Sequence, residues 1–489
     1  MEGTPPPSDM ASSSATPLDT GTSIPDFIQL QQIPVNYVQQ VETDLLEPVV
    51  FSQGSETTDG FARFTLQNKG FLHSQSKLFI SLKPTVNASN TDIYLPPHLG
   101  IAQVIKKAVL KVGNKTLNEL DSWAGLHGVK SSLIANEVNL EREMYMTGRA
   151  MNHKFVYDKD ASLVNASAIG LDTGFEDGTS LYLPDALTMN ATSAAKVAES
   201  PTFMVDLSDL FPFLKLHQLP LYMIKEPINI ELTFQPTTKF RAQLGGSGEG
   251  GVDLAQVIEI DRNELKFCAD YIYYGASDEM ERYAMANKDL NFSFADYRVI
   301  EHTTSGTELG SGVIRNLGMA NRMVSRVITT FPYDKDTYNQ TKILGQYTSI
   351  APEINASGRQ GALKYNIRYN DRFEYTSDVD NTSRLFSIFT DSEGIPFVTR
   401  SEYSDQATAG GFTDNEQFED RDQSVDLPGH FFYLSSRLSN GRVGQRGIEL
   451  HVSGTWETSG QKNPTLLRCY CEYMRVARLV DGHMEVYNA

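Results

Sequence analysis

Residues 228–234 have the sequence INIELTF, in which apolar and polar side chains alternate. In LFISL at residues 78–82, apolar residues 78, 80 and 82 share one face, opposite Phe79 and Ser81. Because successive side chains of a β-strand point to opposite faces, a period of two predicts half-buried strands. We predict further strands at residues 61–66, 104–112, 265–274, 290–300, 324–331, 363–369, 384–390, 431–436, 447–456 and 466–479. The chain is therefore predicted to be all-β.

Patterns typical of helices are scarce by comparison. The two clearest are residues 119–135 around Trp123 and residues 277–287, where Asp278 can cap the helix and Glu281 follows three residues later. Many short strands with few short helices favour antiparallel sandwiches with long loops between their strands. We expect such loops at residues 148–200, 236–258, 334–362 and 391–430, which are longer than ordinary connections.

The length of the chain sets its domain organisation. A sequence of 489 residues is too long for one hydrophobic core and suits two domains of roughly 200 residues each. We predict an extended N-terminal arm at residues 1–45, a first sandwich at 46–276, a connecting helix at 277–289 and a second sandwich at 290–489.

The predicted arm has a composition of its own. Residues 1–45 are rich in Pro, Ser, Thr and Gln, with six acidic residues and no Lys or Arg. Two interpretations remain open, a disordered tail and an arm that becomes ordered against a neighbour. In the second, the residues that dock on an inner layer or on a neighbour are its apolar ones, Ile24, Phe27, Ile28, Leu30 and Ile33.

The charge of the chain excludes one class of partner. With 61 acidic and 42 basic side chains, the formal net charge is −19, which repels the phosphate backbone of nucleic acids. We therefore expect no direct binding to nucleic acid. The N-terminal sequence MEGTPPP has neither a basic region nor an apolar one after it, so we also expect synthesis without a secretory signal.

Four segments carry a family resemblance. They are VIKKAVLKVGNK at 104–115 with DSW at 121–123, LFPF at 210–213 leading into INIELTF, ADYIYY at 269–274 with ERYA at 281–284, and CEYMRVAR at 471–478 with DGHM at 481–484. In this order they resemble segments of the double jelly-roll major capsid proteins of nucleocytoplasmic large DNA viruses. The size of the chain is similar to that of the members from polinton-like viruses and virophages.

The resemblance implies both a fold and a function. The fold would be two consecutive eight-stranded antiparallel jelly rolls. The function would be self-assembly of three copies into a pseudo-hexagonal block, a homotrimeric capsomer that tiles the icosahedral shell of a double-stranded DNA virus. Its partners would be neighbouring capsomers, minor capsid proteins and vertex (penton) proteins, with an internal membrane as an open further one. Its location would be the capsid shell of the virion.

Candidate sites of chemistry are weak in this sequence. The glycine-rich residues 244–251 lack the Lys-Ser/Thr ending of a phosphate-binding loop, and the acidic residues 414–422 match no calcium loop. Cys268, Cys469 and Cys471 lie in strand patterns without the spacing of metal ligands. We therefore predict no catalytic, cofactor-binding or metal site, and a protein that is not an enzyme.

A rival function stays open at this point. β-Sandwiches also include enzymes and lectins that act on polysaccharides, and a pair such as Glu279 and Glu281 would suit a glycosidase only in the right geometry. A minor capsid or vertex protein is a third alternative. The oligomeric state separates these functions, because a capsid block has to be an obligate trimer.

Overall fold

The strands of the chain fall into two consecutive groups. The computed structural model describes residues 38–84, 93–94, 100–127, 146–147, 202–237, 242–243, 258–274, 289–330, 364–380, 382–393, 433–439, 442–453 and 466–488. The first group of strands comprises β1 (Val38–Leu46), β2 (Val50–Ser52), β3 (Gly60–Leu66), β4 (Phe71–Leu72), β5 (Lys77–Pro84), β6 (Ile93–Tyr94), β7 (Ile105–Val112), β8 (Lys115–Asp121), β9 (Thr202–Asp206), β10 (Leu219–Pro220), β11 (Ile228–Phe234), β12 (Ala242–Gln243), β13 (Ile258–Ile260) and β14 (Lys266–Tyr274). The second comprises β15 (Asp289–Thr303), β16 (Val313–Gly318), β17 (Val324–Thr330), β18 (Lys364–Tyr369), β19 (Arg372–Phe373), β20 (Tyr433–Arg437), β21 (Ile448–Ser453), β22 (Leu466–Val480) and β23 (His483–Asn488).

Helices of the described residues are short. They are α1 (Leu207–Leu210), α2 (Pro212–Leu216), α3 (Gly306–Ser311) and α4 (Thr382–Glu393), with 3-10 helices at Gly100–Val104 and Leu221–Met223 and a helical segment at 123–127. Helix α3 begins at a capped end, because the Ser305 side chain accepts a hydrogen bond from the Glu308 backbone N–H.

The first group builds two antiparallel sheets. In one sheet the main strands follow the order β1-β14-β5-β9, and in the other the order is β3-β11-β7-β8, with β2 beside β3. Strands β4, β10 and β13 extend the first sheet, while β6 and β12 pair separately. No strand of this group pairs with a described strand beyond Tyr274.

The second group repeats this arrangement. Its sheets have the orders β15-β22-β17-β20 and β16-β21-β18-β19, with β23 added to β22. Each half has eight main strands, which are β1, β3, β5, β7, β8, β9, β11 and β14 in the first half and β15 to β22 in the second. When these are numbered 1 to 8 along the chain, the two sheets of both halves have the orders 1-8-3-6 and 2-7-4-5. Two four-stranded sheets connected in this way form a jelly roll. The predicted fold class, two consecutive eight-stranded jelly rolls, is confirmed.

Alternation along the strands explains the packing within each sandwich. The odd and even positions of β3 and β11 alternate between buried and half-buried, and Phe64 lies opposite Ile230 with both side chains buried. Burying a side chain of this size contributes about 1.5–3 kcal/mol, so these paired rows supply much of the core. The sequence INIELTF therefore forms the strand that it predicts.

Some predictions of local structure are wrong. Residues 384–390 were predicted to be a strand and form part of helix α4. Leu385, Ile388 and Phe389 are also spaced as i, i+3 and i+4, which suits a helix equally well. The helix predicted at 119–135 begins only at residue 123, because residues 119–121 complete strand β8.

Other predictions fall on parts of the chain that are not described. The predicted connecting helix at 277–289 falls almost wholly on residues 275–288, which lie outside the described residues. Its last residue, 289, begins β15. Residues 1–37 of the predicted arm lie outside the described residues, and residues 38–45 form most of β1. The predicted domain boundaries therefore stay predictions.

Among the described residues, none of the helices has the length and apolar character needed to cross a bilayer.

A close backbone contact between two glycines generates a prediction about stability. Gly447 has a φ of +77°, and a Cβ atom added to it would overlap the Gly318 carbonyl. Gly318 also has a positive φ, +67°, but an added Cβ would have no neighbour within 4 Å. We expect Gly447→Ala to lower the thermal unfolding midpoint clearly more than Gly318→Ala, since both carry the backbone strain and one adds a clash. Equal losses would show that the close contact contributes nothing.

Candidate assembly surfaces

The two jelly rolls meet along a buried joint. Strand β8, at the edge of a sheet in the first half, runs beside β15, at the edge of a sheet in the second. Asn118 of β8 donates from Nδ2 to Oδ1 of Asp296 on β15 over 3.1 Å, and its own Oδ1 accepts from the Phe213 backbone N–H over 3.0 Å. Both polar side chains are almost wholly buried, so the hydrogen bonds offset the cost of removing them from water.

An ion pair fixes this joint electrostatically. Arg475 of β22 donates to Asp296 Oδ2 over 2.7 Å, and its guanidinium also donates to the carbonyls of Leu117 and Thr116, over 3.0 and 3.1 Å. The charges thus belong to the second half, while the first half supplies neutral partners. Burial raises the pKa of the Asp296 carboxyl, and the Arg475 charge opposes that rise. The Arg475 cation therefore favours the ionised form of the carboxyl that burial disfavours.

Aromatic packing closes the same joint. The ring of Phe213, on α2, lies 5.6 Å from Phe292 and 5.1 Å from Phe294, both on β15, in edge-to-face arrangements. The His217 ring also stands edge-on to Phe292, and its Nε2 lies 2.7 Å from the Ser293 carbonyl oxygen. Such ring pairs add about 0.5–1.5 kcal/mol each beyond their buried area. The hydrophobic core is therefore continuous from one jelly roll to the other.

The end of the chain completes the contact. In the turn between β22 and β23, the Gly482 carbonyl accepts from the Lys225 N–H over 2.9 Å, and the Met484 N–H donates to Glu226 Oε2 over 3.0 Å. At the other end of the joint, Tyr470 donates to the Ser122 carbonyl over 3.1 Å. Polar contacts at both ends hold the two jelly rolls in one relative arrangement.

Strand β1 is the second surface of interest, because its apolar side chains point away from the jelly roll and its acidic side chains point toward it. Among the described strands it pairs with β14 alone, so one of its edges is unpaired in this part of the chain. Its apolar side chains Val41 and Leu45 point outward and are 57% and 63% exposed, and between them Thr43 donates to Asp270 over 2.6 Å. An exposed apolar row at a sheet edge is a typical site for association.

The inward face of β1 carries acids instead. Glu42 and Asp44 lie 2.5 and 2.7 Å from Lys69 Nζ, and Tyr273 donates to Glu42 over 2.9 Å. The Lys69 ammonium also stands over the Tyr271 ring, 4.7 Å from its centroid. These hydrogen bonds, with that of Lys69 largest, lower the pKa of Glu42. Besides its backbone pairing with β14, β1 is thus tied to the first jelly roll by the ion pairs of Lys69.

Sequence reasoning found neither surface. Its docking residues Ile24, Phe27, Ile28, Leu30 and Ile33 all lie outside the described residues. The joint was missed because Asn118, Asp296 and Arg475 are far apart in the sequence. A signal was nevertheless present, because Asp296 occupies an inward-facing position of β15 that continues the row of Phe292 and Phe294.

Groups suited to chemistry are not assembled in the described part of the chain. No cluster of three His, Cys, Asp or Glu residues suited to a metal occurs among the described residues. Cys469 and Cys471 are buried free thiols, and burial raises the pKa of Cys469 to about 12. Glu279 and Glu281, the pair considered for a glycosidase, lie outside the described residues.

The buried ion pair generates a prediction about stability. We expect Arg475→Met to lower the free energy of unfolding by about 3–5 kcal/mol, because it leaves Asp296 buried without its cation. Arg478→Met is the matched control, since Arg478 pairs with Asp289 between the same two strands where both side chains are more than 40% exposed, and we expect a much smaller loss. Urea denaturation of both variants measures the difference. Equal losses would contradict the role of the joint.

The acid face of β1 generates a prediction about pH. A carboxyl whose pKa is lowered in the folded state stabilises that state at pH values above its ordinary pKa. This stabilisation is lost as the pH falls through the lowered pKa. We therefore expect Glu42→Gln to speed amide hydrogen exchange of β1 at pH 7, compared with wild type at the same pH, and we expect this effect to shrink as the pH is lowered below the ordinary pKa of a glutamate. The control is Glu47→Gln, just beyond β1. An undiminished effect at pH 3 would rule out the ion pair as its cause.

Comparison with known proteins supports the fold. No family model matches the sequence, and no curated protein matches it significantly. Solved structures do match: the quasi-atomic model of the PBCV-1 virus capsid, at 12% identity and a TM-score of 0.52, covers 93% of this chain and 98% of that one. The Sputnik virophage structure determined by cryo-EM has 12% identity and a TM-score of 0.57, over 93% and 90% of the two chains.

A third match is the crystal structure of the mavirus major capsid protein, with 11% identity, a TM-score of 0.51 and coverage of 93% and 91%. At sequence identities this low, the similarity concerns the fold. It extends over nearly the whole length of both chains in each comparison. The chain therefore has the double jelly-roll fold found in the major capsid proteins of these viruses.

Proposed function

We propose that this chain is a major capsid protein whose copies assemble into pseudo-hexagonal homotrimeric capsomers in the shell of an icosahedral double-stranded DNA virus. The observation that carries the proposal is the repeat within the chain: two jelly rolls with one strand order, joined by a buried contact. The fold shared with capsid proteins of PBCV-1, Sputnik and mavirus supports it.

The repeat suggests how copies associate. Within one chain, the fifth main strand of the first jelly roll (β8) lies beside the first main strand of the second (β15). The remaining strands in these two positions are β19, the fifth of the second jelly roll, and β1, the first of the first. A heterologous contact of this kind forms a ring when the rotation closes. Three copies would then place six jelly rolls around one axis.

The engagement of two carboxylates in the described part of the chain, one buried and one half-buried, supports a structural role for them. Asp296 is enclosed by Arg475 and Asn118, and Glu472 accepts from Arg326, Tyr297 and Ser325. A glycosidase acid or nucleophile needs access to the sugar, which the buried Asp296 lacks, and Glu472 is already occupied by three donors. This favours the capsid function over the alternative, a β-sandwich enzyme or lectin acting on polysaccharide.

The remaining partners follow from the same function. We propose that neighbouring capsomers, minor capsid proteins and vertex (penton) proteins contact this chain, and that the arm at residues 1–45 docks on a neighbour or on an inner layer such as an internal membrane. With a net charge of −19 and no Lys or Arg in that arm, direct binding to nucleic acid is not expected. The location would be the capsid shell of the virion.

The oligomeric state tests this function most simply. We expect light scattering of the purified chain to give close to three times 54.4 kDa at micromolar concentration, because capsomer interfaces of this kind bury several thousand Å². Binding to a polysaccharide array serves as the control for the alternative function. A stable monomer that binds or cleaves a polysaccharide would overturn the capsid function.

A further inference from the structure

We infer that an arginine platform on the second jelly roll binds acidic residues from the N-terminal arm of a neighbouring copy, Asp19 and Asp26 above all. The arginine platform consists of three turns, at residues 319–323, 370–372 and 438–447. This inference rests on the proposed function, in which copies of the chain meet, and it names the surface that receives the arm.

The arginine platform concentrates positive charge in a chain whose net charge is −19. Its charged residues are four arginines and a single acid, Arg322, Arg372, Arg442, Arg446 and Asp371. Arg372, Arg442 and Arg446 are exposed. The ion pair of Arg446 with Asp371, at 2.6 Å, leaves both side chains more than 60% exposed. A carboxylate from another chain can therefore reach these guanidinium groups from solvent.

Hydrogen bonds hold the three turns together as one surface. The Asn370 side chain donates to the Arg442 carbonyl over 2.8 Å, and the Val443 N–H donates to the Arg322 carbonyl over 2.9 Å. The Arg322 guanidinium in turn lies over the Tyr473 ring, 4.8 Å from its centroid. A partner that binds this surface has little of its backbone to order, which favours binding.

Residues 1–37 of the arm complement the arginine platform. All of their charged side chains are acidic, at Glu2, Asp9, Asp19 and Asp26. Asp26 lies within the apolar segment IPDFI at residues 24–28, and Met323 of the platform is 44% exposed. Carboxylates form their strongest hydrogen bonds with guanidinium groups, and a methionine packs well against an aromatic ring such as that of Phe27. Both the charge and the apolar character of this segment therefore suit the platform.

The arm enters the fold at the end of the molecule where the platform lies. Consecutive main strands alternate in direction, so strand 1 of each jelly roll begins at the end that carries the turns between strands 2 and 3, 4 and 5, and 6 and 7. In the second jelly roll, these three turns form the platform. The Thr116 carbonyl, on β8, accepts from Arg475. Just after β8, the Ser122 carbonyl accepts from Tyr470, so β8 runs antiparallel to β22 and both jelly rolls point the same way. Val38, which begins β1, therefore lies at the platform end.

The position of β1 favours a neighbouring copy as the source of the arm. Strand β1 contacts β3, which β11 and β7 separate from β8, the strand beside the second jelly roll. The width of the first jelly roll thus lies between the start of β1 and the platform of the same chain. The segment from Asp26 to Val38 spans at most roughly 40 Å when extended, which suits a platform that a neighbour brings to this outer edge.

Lysine substitutions in the full-length chain provide a direct test. In Arg442→Lys with Arg446→Lys, a carbodiimide should join the amine introduced at position 442 or 446 to the carboxyl group of Asp19 or Asp26. We expect covalent dimers on a denaturing gel and the linked peptides in mass spectra. Adding Asp19→Asn with Asp26→Asn should abolish these dimers.

Two controls accompany this test. A link between position 446 and Asp371 of the same chain shows that the reagent reaches the platform, since these residues are already in contact. Arg262→Lys is the matched variant, because Arg262 is exposed in the turn before β14, at the opposite end of the first jelly roll. It should give no link to residues 1–37.

Charge reversal provides a second, independent readout. We expect Arg442→Glu with Arg446→Glu to speed amide hydrogen exchange at residues 19–28 about tenfold, because repulsion replaces the ion pairs that hold this segment. Adding Asp19→Arg with Asp26→Arg should restore the slow exchange, which general unfolding would not allow. Arg262→Glu should leave the exchange unchanged.

The outcomes separate this inference from the proposed function. A wild-type protein that stays monomeric at micromolar concentration would overturn both. Wild-type trimers whose lysine variants form only the link to Asp371, or link the arm only within its own chain, would overturn the arm contact and leave the function. The arm contact is also wrong if charge reversal leaves exchange at residues 19–28 unchanged but abolishes binding to phosphatidylserine vesicles, because the platform would then receive a lipid surface.

Discussion

The buried ion pair between Asp296 and Arg475 is the constraint on which the arrangement of the two halves depends. A carboxylate removed from water needs its cation and its remaining hydrogen bonds together, and here the first half supplies Asn118 and two backbone carbonyls. Any shift of one jelly roll against the other would break those neutral contacts. A rigid pair of sandwiches follows from this local chemistry.

The long strands β15 and β22 extend this constraint over the whole chain. From Asp296 to Thr303, β15 pairs with the part of β22 that β17 flanks, inside the second jelly roll. Before Asp296, the same strand continues past that sandwich and covers the first half with Phe292 and Phe294. One face of a single sheet thus contributes to both cores. For this reason the two halves are held together as one unit, as the proposed capsomer would require.

Much of the fold could be predicted from the sequence, for a simple physical reason. In strands with one buried face, such as residues 228–234, the alternation of apolar and polar side chains indicates which face is buried. Residues 384–390 carry both periods, so the choice between strand and helix depended on packing that the local sequence does not contain. The joint was beyond reach because Asn118 and Asp296 are 178 positions apart and pair only when both jelly rolls have formed. Likewise, the exposure of Val41 and Leu45 depends on the ion pairs of Lys69, which set the register of β1.

In the proposed capsomer, one chain contributes two equivalent jelly rolls to a closed ring. Class averages of the purified protein by electron microscopy test it most directly. We expect a hexagonal outline with six lobes of similar size and threefold symmetry. Particles with two lobes, or rings with another number of lobes, would contradict it.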